Sequence, residues 1–220
     1  MLQRHKLHPM DTQRRMATLL ARTSQSADHP AVLDAIGETD CSLAIWERAP
    51  FADFAALVEG DPADLRFECT PADCAAMLAA GLQANGFGGE ALHPALAADA
   101  AQLAERFCAA LNLARLELRL EVVRTDSCRK WHADYVTARL ITTYVGEGTD
   151  WLDESNADRV AAGQEPLNPQ RLRTFDVGLF KGKLATERPA IHRSPPIAGT
   201  GAVRLLLVLN PASRLFVEGG

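Results

Sequence analysis

Between residues 113 and 123 the apolar pattern changes period, and this switch divides the chain. Leu116, Leu118, Leu120 and Val122 alternate with Arg115, Glu117, Arg119 and Glu121, the period of two of a strand with one buried and one wet face. Upstream, Leu92, Leu96, Leu103, Phe107 and Leu111 are spaced by four and seven, the apolar stripe of an amphipathic helix. Segment 70–84 opens Thr-Pro-Ala-Asp, a helix start with proline in the first turn, and Asn85-Gly86-Phe87-Gly88-Gly89 ends it. Asp11 is expected to cap a short helix carrying Met16, Leu19 and Leu20, broken at Ser26–Pro30. Residues 1–112 thus read as mainly helix and loop.

Beyond the switch, strands are expected at Tyr135–Val145, Phe175–Phe180, Ala190–His192 and Val203–Leu209. No helical stripe separates them, which favours an antiparallel sandwich or jelly roll over a parallel βαβ sheet. The fold class is α+β, with residues 1–112 packed on a β-core of residues 113–220 as one integrated domain. The polar segment 153–171 reads as a long loop, expected to border the mouth of the site as a mobile lid.

Composition excludes several roles. With 220 residues, 47% hydrophobic, the chain can bury a full core without disulfides or structural metal. Its net charge is −5 and neither sign forms a long block, so nucleic acid is not an expected partner. Five cysteines, an odd number without CxxC spacing, argue against a disulfide framework and a zinc site and fit a reducing compartment. The first twenty residues hold no signal-peptide apolar stretch and nothing approaches a membrane span; the expected location is cytoplasmic.

The strongest chemical signal is Trp131-His132-Ala133-Asp134, with Ile191-His192-Arg193-Ser194 downstream. On a strand, positions i and i+2 share a face, so His132 and Asp134 present an imidazole and a carboxylate side by side. A third ligand from a distant strand completes a two-histidine, one-carboxylate facial triad, which leaves open positions on ferrous iron. His192 is the only histidine after Asp134. Arg204 lies twelve residues further on, at the head of the apolar run VRLLLVLN. A guanidinium there needs an anion, either an external carboxylate or an internal partner such as Asp126, Asp150 or Asp176. Cys128, four residues before His132, reads as an ordinary thiol rather than a ligand, and Trp46 as an anchor for the N-terminal segment.

The spacing His-x-Asp, distal His, then Arg resembles the Fe(II)/2-oxoglutarate-dependent oxygenases with their double-stranded β-helix, a cupin-like jelly roll. Ala44-Ile45-Trp46-Glu47-Arg48, CRKWHADYVTARLITTY and HRSP resemble, more closely, the bacterial family called domain of unknown function 1826. The superfamily resemblance implies that His132, Asp134 and His192 hold Fe(II) and that Arg204 clamps the distal carboxylate of 2-oxoglutarate. Tyr144 shares even parity with His132 and Asp134 and is the candidate for a second 2-oxoglutarate contact, with Thr142 as runner-up. The implied activity is hydroxylation of a small molecule or protein side chain. The rival class is a non-oxidative cupin-like metal binder, a sensor or a Lewis-acid hydrolase or isomerase.

Overall fold

The computed structural model describes residues 23–212, so the expected helix carrying Met16, Leu19 and Leu20 lies outside the described residues. The chain runs β1 (Thr23–Ala27), β2 (Cys41–Trp46), β3 (Leu65–Cys69), α1 (Pro71–Ala84), α2 (His93–Leu111), β4 (Leu116–Val123), β5 (Ala138–Val145), β6 (Asp150–Trp151), α3 (Glu154–Ala161), β7 (Gln170–Arg171), β8 (Val177–Lys181), β9 (His192–Arg193) and β10 (Arg204–Pro211). Seven strands form one sheet in the order β1-β2-β8-β5-β10-β4-β3, and β7-β6-β9 form a second. Every pairing is antiparallel except β1 with β2.

Local chemistry explains both long helices. Thr70 caps α1 by accepting from the Asp73 amide, Pro71 fills the first turn, and Asn85 closes the end. α2 stops where Asn112 turns left-handed at φ 52°, its amide bonded back to the Ala109 and Cys108 carbonyls. Their apolar faces, with Leu78, Leu82, Leu96, Leu103 and Phe107, cover one face of the large sheet against Leu118, Leu140, Leu179, Leu205 and Leu207. On the other face Ile141, Phe180, Leu206 and Val208 meet Leu172, Ala190 and Trp151 of the small-sheet side. The large sheet is thus sandwiched between helices and the small sheet. Among the described residues no helix is long and apolar enough to cross a membrane.

Two expectations are corrected. The first part of the chain is not only helix and loop, because β1, β2 and β3 complete the large sheet. β2, CSLAIW, is buried along five of its six residues, so it shows no period of two to read. Nor is segment 153–171 one loop: Asp153 caps α3 by accepting from the Asn156 amide, and the Asn156 side chain accepts from Leu167 N. A helix with a polar outer face carries no long apolar stripe and escapes a search for one.

Gly182 fixes how closely β8 approaches the segment before β5. A Cβ there would lie 2.1 Å from the Val136 carbonyl oxygen and 3.0 Å from that of Asp134. The same stretch is held by Lys183 N donating to Asp134 O at 2.9 Å and Leu184 N to Val136 O at 3.1 Å. Only a residue without a side chain permits this contact. Gly182→Ala is expected to lower unfolding stability by about 1–3 kcal/mol, the range for overpacking. It should also displace Asp134. Denaturant unfolding and a crystal structure of the variant check both outcomes.

Candidate metal centre

His132 and His192 are partners in a single antiparallel bridge: His132 N donates to His192 O at 3.0 Å and His192 N to His132 O at 2.9 Å. Backbone pairing therefore sets the imidazoles side by side, ring centroids 4.7 Å apart. Past Asp134 the chain leaves this bridge and turns into β5 of the large sheet. Ligand atoms of His132, Asp134 and His192 all lie within 4.8 Å of one another. His192 Nε2 is 3.2 Å from Asp134 Oδ2, and His132 Nε2 is 3.8 Å from Asp134 Oδ1.

The hydrogen bonds orient these groups for a cation. His132 Nδ1 lies 2.8 Å from the Lys130 carbonyl and His192 Nδ1 3.4 Å from that of Ala190. A carbonyl only accepts, so each Nδ1 carries the proton, and in the neutral ring each Nε2 then turns a lone pair toward Asp134. Asp134 Oδ1 accepts from Arg139 at 2.7 Å, whereas the buried Oδ2 has no hydrogen bond among the described residues. Two such lone pairs, one facing each oxygen of a buried carboxylate, repel it unless a positive charge sits among them. Nitrogen and oxygen donors with second nitrogens anchored on backbone carbonyls suit a divalent first-row metal. The residues present therefore fit the group.

Burial pushes the His132 imidazole below its ordinary 6.5, and His192 adds to this against the opposing Lys130 carbonyl. Burial raises the Asp134 carboxyl, but His192, Arg139 and His132 outweigh it and hold it below its ordinary 3.8. A cavity of about 80 Å³ opens beside the triad, its apolar side formed by Ile141, Leu206 and Val208.

Arg204 is wholly buried on the same sheet face as Leu206 and Val208. Its Nε donates to Glu147 O at 2.6 Å, and its terminal nitrogens to Ser194 Oγ at 2.9 Å and Thr143 Oγ1 at 3.4 Å. Among the described residues no carboxylate pairs with it. Asp150 is taken by Arg171 and Arg193, Asp176 by Arg173, and Asp126 by the Ile197 and Ala198 amides. Burial pushes its pKa from 12.5 down to about 10, against the pull of Asp150, so it stays a cation at neutral pH. Ser194, which also lines the cavity, links it to the site.

Tyr144 and Thr142 lie on the opposite face of the sheet from the triad. Tyr144 packs in the helix-side core and donates to Asp99 Oδ2 at 2.5 Å, and Thr142 donates to Phe175 O. The shared parity fails because Tyr135–Thr137 are bends outside any strand, and facing is inherited only along a continuous strand. Three other residues of β5 face the site instead: Arg139 on Asp134, Ile141 in the cavity wall and Thr143 on Arg204. Arg139 and Thr143 escape a reading of the sequence, since their only signal is a parity that becomes legible once the bend is known.

Acidification tests the charge arrangement in the metal-free protein. Groups whose folded pKa is depressed contribute stability above their unfolded value and lose it as pH falls. Unfolding stability is expected to decline below pH 6.5, where His132 protonates more readily when unfolded, and again below pH 3.8 through Asp134. His132→Gln, measured by chemical denaturation across pH, should remove the first decline and leave the second.

Among solved structures the chain is similar to a dioxygenase for auxin oxidation from Arabidopsis thaliana, solved as a 2-oxoglutarate binary complex. Identity is 9% over 88% of this chain and 93% of that one, with a TM-score of 0.45. It is similar to a prolyl-4-hydroxylase from Pseudomonas putida at 12% identity over 84% of this chain and 99% of that one, TM-score 0.41. A hydroxypropylphosphonic acid epoxidase from S. wedmorenis matches at 19% identity over 43% of this chain and 42% of that one, TM-score 0.29. No curated protein sequence matches. Residues 27–210 match the family model described as "Protein of unknown function (DUF1826)", and the chain belongs to that family.

Proposed function

We propose that this protein is a non-haem Fe(II), 2-oxoglutarate-dependent oxygenase of the hydroxylase type. The observation that carries the reading is the convergence of two imidazole Nε2 atoms on one buried carboxylate, His132 facing Asp134 Oδ1 at 3.8 Å and His192 facing Oδ2 at 3.2 Å. The helix-covered large sheet and the small sheet over its other face are then the walls of a double-stranded β-helix. The described residues from 113 to 212 supply its metal-binding core, and those from 23 to 112 add three strands and the two long helices to it as part of one domain. The substrate is a small molecule or a protein side chain. A cytoplasmic location accords with five free thiols.

Ferrous iron with 2-oxoglutarate supplies dioxygen chemistry that oxidises a substrate C–H bond. The chain's own part is binding and orientation. His132 and His192 bind through Nε2, their rings held by the Lys130 and Ala190 carbonyls. Asp134 supplies the anionic ligand. Arg204, a buried cation without a carboxylate, receives the distal carboxylate of 2-oxoglutarate, with Ser194 and Thr143 as flanking hydroxyls. Ile141, Leu206 and Val208 keep the cavity wall apolar and limit water there.

One observation favours a second reading. Arg204 already donates to Glu147 O, Ser194 and Thr143, so it is satisfied by neutral acceptors and fits a metal-binding protein that uses no 2-oxo acid. Two measurements separate the readings. Anaerobic addition of Fe(II) and 2-oxoglutarate to metal-free protein should produce a visible charge-transfer band, which His192→Ala abolishes. Arg204→Met should keep metal binding and weaken 2-oxoglutarate by ~2–5 kcal/mol, the scale for removing one partner of a buried charge pair. Absence of the band, or unchanged 2-oxoglutarate affinity in Arg204→Met by calorimetry, selects the second reading.

A further inference from the structure

A row of hydrogen-bonded side chains crosses the large sheet and ends on Asp134. Arg139 on β5 donates from a terminal nitrogen to Asp134 Oδ1 and from Nε to Asn210 Oδ1, both at 2.7 Å. Asn210 on β10 donates from Nδ2 to Glu117 Oε1 at 3.0 Å. Glu117 on β4 accepts on Oε2 from Arg66 on β3, at 2.8 Å from Nε and 2.7 Å from a terminal nitrogen. β5, β10, β4 and β3 are neighbours in that order, and Asn210 and Glu117 are direct register partners. Asn210 and Glu117 are buried, whereas the Arg66 side chain is open to solvent.

A carboxylate can bind a metal through one oxygen or two, and the choice decides how many coordination positions remain. Both Asp134 oxygens face an imidazole, Oδ1 at 3.8 Å from His132 and Oδ2 at 3.2 Å from His192. What makes them unequal is Arg139, which holds Oδ1 by a hydrogen bond while Oδ2 has none among the described residues. A lone arginine–carboxylate pair tolerates rotation of the guanidinium. Here a second donor is pinned on Asn210, which is itself pinned on a buried glutamate, so the fork cannot turn away.

We infer that Arg139 is a positioning residue that makes Asp134 a one-oxygen metal ligand, with Asn210, Glu117 and Arg66 as the cross-sheet anchor that holds it. The position a two-oxygen aspartate would fill then stays free for substrate or co-substrate. This inference rests on the metal-centre reading above.

Mn(II) is a suitable probe, because its bound waters are counted by water-proton relaxation and its affinity by calorimetry. The wild-type protein and Arg139→Met, Arg139→Lys and Asn210→Ala are loaded with Mn(II) alone. In Arg139→Met, Oδ1 is released and Mn(II) should bind with one fewer exchangeable water than in the wild type. Arg139→Lys, which restores a cation beside Oδ1, should return the wild-type count. Should Arg139→Met not fold, Asn210→Ala, which unpins the fork while keeping its charge, should give a count between the two. A merely structural prop costs about 10–100-fold in metal affinity and leaves the water count unchanged. An unchanged count in Arg139→Met, or in Asn210→Ala where that variant carries the test, overturns the inference and leaves the metal-centre reading standing. A wild-type protein that binds no Mn(II) overturns both, and that failure is read in the wild type alone.

Discussion

β10 has no free side. β5 and β4 are hydrogen-bonded along its two edges, the helices cover one face and the small sheet the other. Its odd residues Leu205, Leu207 and Leu209 enter the helix-side core, and its even residues Leu206 and Val208 enter the core between the sheets. A strand enclosed in this way admits a charge only where something compensates it. The run therefore concentrates polarity at its two ends: Arg204 opens it on the cavity side and Asn210 closes it in the row leading to Asp134.

The small sheet solves a different electrostatic problem. Asp150 is nearly sealed from solvent and accepts from Arg171 Nε at 2.6 Å and Arg193 Nε at 3.1 Å. Arg193 also lies over the Trp131 ring at 4.2 Å. Trp131 precedes His132 and Arg193 follows His192, so this stack ties the two histidine-bearing segments together beside the cavity. Asp150 is thus committed to Arg171 and Arg193, and the Glu147 carboxylate to Arg171, while Arg204 takes only the Glu147 backbone carbonyl and two hydroxyls.

Reading the sequence recovers what has a local signature. α1 and α2 follow from a cap, a proline and an apolar stripe, and β4 from its alternation. His132, Asp134 and His192 stand out because metal-ligand residue types recur at strand spacing and no other downstream histidine competes. What escapes is whatever depends on long-range neighbours. β2 is covered on both faces and has no period; α3 is held by Asp153 and Asn156 rather than by apolar residues; Tyr144 and Thr142 change face because of three bend residues, the middle one packed closely against Gly182. Arg139 is visible as a letter in ARLITTYV but has no meaning until its strand face is known.

The bridge between His132 and His192 joins segments 60 residues apart through two backbone hydrogen bonds, and β9 itself is only two residues long. Most of the buried apolar residues belong to the large sheet and the helices, and β9 contributes none to that core. Because side chains alternate, a slip of β9 by one residue would turn His192 outward and Ile191 or Arg193 inward. A chain slipped in this way would keep the helices and the large sheet and lose the convergence of His132, Asp134 and His192. The geometry of the candidate centre thus hangs on a two-residue strand rather than on the large core that dominates the fold.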